Sequence, residues 1–213
     1  MDELEILKKD WKKEDTKYPK LSYDDIYKMI LKKSSSIVKW IFIISLLEFA
    51  FWGIISFALK DTKMLNNEKE LNMDQILIPL TIISYIILIY FFYLFYKNYR
   101  NITSTDSTKQ LMENILKTRR TVKYYVIFNL ASLVVGTFIS LTFVLKHDEN
   151  IVTQMQQASA NGEVFQLYAI IIIVTVLMLA AMIGILLLFY YLVYGLLLKR
   201  LNKNYKELKK LEM

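Results

Sequence analysis

The sequence predicts an all-α membrane protein, a four-transmembrane-helix bundle with short amphipathic cytoplasmic helices. Three observations predict it. Four apolar runs, residues 37–59, 76–96, 124–145 and 168–198, each reach the roughly 20 residues that a helix needs to cross a bilayer at about 1.5 Å per residue. The hydrophobic residues, 55% of the chain, are bunched into those runs instead of being spread as in a soluble core. The formal charge of +7 is carried mainly by the N-terminal segment, the second connection and the tail, while the other two connections hold only Lys60, Lys63, Lys69 and Lys146. The excess of cations on the cytoplasmic side of membrane proteins then places both termini in the cytoplasm.

Residues 1–36 read as a cytoplasmic amphipathic segment. Leu4, Leu7 and Trp11 share a helical face, Tyr18-Pro19 breaks it, and Ser22 with Asp25 starts a second helix carrying Ile26, Met29 and Ile30 on one side. Ser34, Ser35 and Ser36 suggest a joint before the first span. That span follows a polar stretch and exceeds the apolar core of a signal peptide, so it is expected to be retained. With Asp at position 2 and no Cys, no lipid anchor, disulfide or thiolate metal site is expected.

The first span carries Glu48, nine residues past Lys39 and so about 14 Å from the entry end. An ionised carboxylate at such depth costs at least about 2.5–3.5 kcal/mol. Ser45, Trp52 and Ser56 lie at helical spacing around it, and the resulting polar stripe should face protein. Two readings are open. Glu48 is a proton, ion or ligand contact, or it is a neutral carboxyl whose hydrogen bonds fix helix register. Counting residues from the cationic flanks brings Ser132, Tyr190 and Tyr90 to a similar depth, so at least one of them should bond Glu48. Isolation from any second deep charge favours the structural reading.

Span 2 has Pro79 in its first turn, where a missing N–H costs little, and a dense aromatic end suited to the membrane interface. The basic second connection, 97–123, should form an amphipathic helix on the membrane surface, with Leu111, Met112 and Ile115 as its apolar face. Span 3 carries Ser132, Gly136 and Ser140 at intervals of four, and span 4 carries Ala180 and Gly184. Small residues so spaced allow close helix approach. The third connection is polar and turns at Asn161-Gly162. Span 4, at about 46 Å, exceeds the about 30 Å core and should project as one helix into a tail, residues 199–213. Tyr194, Leu198, Leu201, Tyr205 and Leu208 step along that tail as a seam, which offers an interface for a homodimer.

Metal and cofactor sites are not expected. His147, Asp148 and Glu149 are adjacent, and neighbours in an outer loop rarely converge on one ion. There is no P-loop, dinucleotide fingerprint or HExxH motif, and the single His leaves no base for a serine nucleophile, so catalysis is not expected. Without an aromatic-basic platform, the basic residues point to lipid headgroups and not to nucleic acid.

The opening, MDELEILKKDWKKEDTKYPKLSYDDIYKMILKKSSSIVKWIFIISLLEF, resembles a group of uncharacterised bacterial four-span proteins. Some of those are labelled beta-carotene 15,15′-monooxygenase. That label implies an iron held by four histidines, and this chain has only His147, so no site residue carries over. The layout is also similar to small membrane regulators that hold a soluble partner. The expected function is therefore a scaffold or regulator that meets a cytoplasmic protein through its amphipathic segments. The alternative is a small transporter or channel subunit using Glu48, and it requires a cavity that reaches the carboxyl.

Overall fold

The computed structural model describes residues 22–58, 74–105 and 107–211, and within them the fold is all helical. In chain order the elements are α1 (Tyr23–Ala58), α2 (Asp74–Thr103), α3 (Thr108–His147), α4 (Glu149–Asn161), α5 (Val164–Tyr190), a π-helical turn (Tyr191–Gly195) and α6 (Leu196–Leu211). Helices α1, α2, α3 and the continuous α5–α6 rod are each long and apolar enough to cross a membrane, which makes the chain a multi-pass membrane protein. The expected amphipathic helix around Trp11 and most of the first outer connection lie outside the described residues.

The helices outrun the bilayer. Forty residues of α3 extend about 60 Å, twice the hydrocarbon thickness, and the 48-residue α5–α6 rod extends about 72 Å. All the surplus lies at the basic end. There the expected surface helices are instead the outer parts of the spanning helices themselves. Residues 97–103 continue α2, residues 108–123 open α3, and only a short turn separates the two. Ser107 caps α3 by accepting from the Gln110 N–H at 3.3 Å. Ser22 and Asp25 hold the start of α1 through reciprocal hydrogen bonds, and the Ser22 hydroxyl keeps the Asp25 carboxyl below its ordinary range. The serine run is not a joint. Ser34 is fully buried inside continuous α1 and accepts from Asn204 Nδ2 at 3.0 Å.

Two apolar clusters fill the basic half. The outer one joins Ile30 and Val38 of α1, Ile102, Leu111, Ile115, and Leu201 and Leu208 of α6. The inner one joins Ile41, Phe91, Phe95, Val122, Tyr125, Tyr190 and Tyr194. The faces of Ile30 and Ile115, expected to await a partner, are therefore covered by this chain. The tail seam is occupied in the same way: Leu201 and Leu208 are completely buried, and a dimer through them would first have to detach α6.

The other half is packed differently. Beyond Glu48 in α1, Phe91 in α2, Tyr125 in α3 and Tyr190 in α5, no described residue of these helices is fully buried. The close approach expected from the small residues is not made there. A methyl group placed on Gly136 or Gly184 would meet nothing within 4 Å. Ser132 and Ser140 are half-buried and Ala180 is exposed. The third connection is a helix, α4, and not a loop. Asp148 caps it by accepting from the N–H groups of Asn150 and Ile151 at 3.0 and 3.1 Å. Gly162 closes it in the left-handed conformation, φ 75°, which a side chain would strain. Neighbouring His147 stacks on Phe143, with ring centroids 4.5 Å apart.

Candidate functional site

Glu48 lies where the packed half meets the open half. It is 7% exposed. Three tyrosine hydroxyls converge on its carboxyl: Tyr190 donates to Oε1 at 2.7 Å, and Tyr194 and Tyr125 donate to Oε2 at 2.9 and 3.0 Å. A buried polar group left without a hydrogen-bond partner costs about 1–3 kcal/mol, and the three donors satisfy the carboxyl at this level. An ionised carboxylate has about four acceptor positions, and the cage fills three. The open one is on Oε1.

Local sequence explains the cage. Tyr190 and Tyr194 are four residues apart, the spacing of neighbours on one helical face. The π-helical turn begins between them and widens the helix at this level. Tyr125 comes from α3 and packs edge-on against Phe91 and Phe95 of α2, at centroid distances of 5.7 and 5.5 Å. The three tyrosine rings also touch one another, at 5.9–6.5 Å. Each hydroxyl is thus aimed by a ring that is itself held on several sides.

On the far side of the carboxyl is a cavity of about 460 Å³, within the range of small-molecule sites. All four spanning helices line it. Its polar lining is Glu48, Ser56, Tyr85, Asn129 and Ser132, and Trp52 adds an indole face. Glu48 and the rings of Tyr125 and Tyr190 form its floor. Below the floor, the inner apolar cluster closes the way to the basic end.

The expected partners of Glu48 occupy three different positions. Tyr190 bonds it directly. Ser132 lines the cavity but makes no hydrogen bond to it. Tyr90 is 57% exposed and faces outward, because its neighbour Phe91 takes the inward position. Ser45 is buried and turns its hydroxyl back to the Phe42 carbonyl at 2.8 Å, so it contributes nothing to the cage. Sequence reasoning missed Tyr125 and Tyr194. Tyr194 was legible as the i+4 neighbour of Tyr190. Tyr125 was hidden by its position two residues past Lys123, where it reads as interfacial.

Comparison with known proteins places the chain in a family without assigning an activity. A search of curated proteins and a search of solved structures each gave no match. A family model matches residues 24–213, from the start of α1 through the tail. The chain therefore belongs to the family described as Domain of unknown function (DUF8845).

Proposed function

We propose that this protein binds a small, positively charged organic ligand in the cavity above Glu48, as a carrier or carrier subunit of the bacterial inner membrane. The observation that carries this reading is the cavity itself: it ends on a buried carboxyl, and all four spans add polar or aromatic groups to an otherwise aliphatic wall. An acid with one acceptor position open attracts a cation. The indole of Trp52 and the rings of Tyr85, Tyr125 and Tyr190 provide faces on which an organic cation is stabilised further. The distribution of Lys and Arg supports a cytoplasmic basic end that holds both termini, and the cavity then lies on the external side of Glu48. In this state the inner apolar cluster is the closed gate.

A scaffold role rested on unpartnered amphipathic faces, and those around Ile30 and Ile115 are buried within the chain. The ligand reading therefore comes first. Its test uses Trp52, the only tryptophan lining the cavity among the described residues. In a Trp11→Phe, Trp40→Phe background, titration with tetraphenylphosphonium should change Trp52 fluorescence saturably. Tetraphenylborate, of the same shape and opposite charge, should not, and Glu48→Gln should abolish the response. Equal responses to both ions, or none to the cation, would remove the proposal.

A further inference from the structure

We propose that the groove between α3 and the π-helical turn binds one anionic phospholipid, with its phosphate at Arg119, Arg120 and Lys123 and an acyl chain along the apolar wall below. The groove has a volume of about 670 Å³ and is separate from the cavity above Glu48, which lies on the other side of Tyr190. Its two ends differ in chemistry. Three cations stand in its outer half, with Leu116 beyond them, and among the described residues no acidic one lines it. Toward the other end the wall is aliphatic, with Val126, Leu130 and Leu187.

The cations are free to receive an anion. Among the described residues the only ion pair is between Lys203 and Glu207, at 4.0 Å, so none of the three is neutralised by a described acid. Arg120 and Lys123 are exposed. Arg119 is half-buried and fixed, donating from Nη1 to Asn202 Oδ1 at 3.0 Å. That bond uses one of five guanidinium donors and orients the rest.

Dimensions support a lipid over a soluble anion. Leu116 and Leu130 bound the groove on α3, and the fourteen steps between them measure about 21 Å. Half of a bilayer of about 40–45 Å with its headgroups is about 20–22 Å. The cations stand where the apolar run of α3 begins, at headgroup level, and the aliphatic wall runs inward from there. A soluble phosphate would use the outer half and leave that wall empty. The π-helical turn keeps the wall concave. Gly195 has no side chain, and a Cβ there would come within 3.2 Å of the Tyr191 ring that lies across it. Basic pockets between spanning helices at the cytoplasmic face suit anionic headgroups.

Native mass spectrometry of the full chain, released from detergent with defined lipid added, tests the site. One phosphatidylglycerol should be retained in preference to phosphatidylcholine. Arg120→Ala with Lys123→Ala, both exposed and without a structural bond, should weaken retention about thirty-fold, the equivalent of about 2 kcal/mol for two cations near a headgroup. The control pair Lys97→Ala with Lys109→Ala removes the same charge at the same end outside the groove, and should change retention less than twofold. Val126→Trp, which fills the aliphatic wall and keeps every cation, should also weaken retention. Equal retention of the two lipids, equal losses in both charge pairs, or no effect of Val126→Trp would each overturn the proposal.

Discussion

Tyr190 donates its hydroxyl to Glu48 across 142 residues of sequence, at 2.7 Å, and so ties the first spanning helix to the last. Tyr194 and Tyr125 add a second bond to the last span and one to the third. The carboxyl is thereby a three-helix junction at the level where tight packing stops.

The junction predicts an ordered set of stabilities at position 48. Glu48→Gln keeps an acceptor oxygen and the side-chain shape, and should lower the detergent melting temperature only slightly. Glu48→Leu leaves three buried hydroxyls without their acceptor, at about 1–3 kcal/mol each. It should be the least stable variant, by about 3 kcal/mol or more in a denaturation series. Equal stability of the Leu and Gln variants would show that the cage does not hold the bundle.

Single Tyr→Phe changes should cost less, because each leaves Glu48 two donors. Tyr125→Phe, Tyr190→Phe and Tyr194→Phe are each expected to destabilise by about 1–2 kcal/mol. Combined with Glu48→Leu, none should cost more than a few tenths further, since the partner is already gone. A double-mutant cycle in detergent measures this coupling.

The four spans and the side on which charge accumulates were legible in the sequence, because both depend on composition along one helix at a time. The cage was legible only in part. Glu48 stood out as a carboxyl in an apolar run, and Tyr190 was reached by counting depth. The same count misplaced Tyr90 and overlooked Tyr125, because it assumed that Lys39 and Lys123 stand at one level. They do not: Val38 and Ile41 are buried among helices that extend beyond the lipid, whereas Lys123 lies within about a turn of the Glu48 level. The loose packing of the far halves had no sequence signal either. Gly136 and Gly184 have the spacing for close packing, yet face open space.

That open space makes a prediction of its own. Gly136→Leu and Gly184→Leu should each be tolerated, with changes in stability under about 0.5 kcal/mol, as for other unpacked surface positions. A large loss in either, seen as a lower melting temperature, would mean that another chain packs there.

At the basic end, α6 is expected to be integral to the fold. Asn204→Leu breaks the buried bond to Ser34 and places an apolar group against its hydroxyl, at about 1–3 kcal/mol. Removal of residues 199–213 uncovers Ile30, Val38 and Ile115. The shortened protein should aggregate on size-exclusion chromatography, whereas the full chain should run as a single species.

The most direct test is thiol accessibility, which the absence of native cysteine makes clean. Ser56→Cys and Ser132→Cys place reporters in the cavity, and Phe138→Cys places one on an exposed apolar position. A membrane-impermeant maleimide added outside intact cells should label the first two and spare the third, and an organic cation should protect both cavity positions. Labelling of all three alike, or of neither cavity position, would contradict a water-filled site above Glu48.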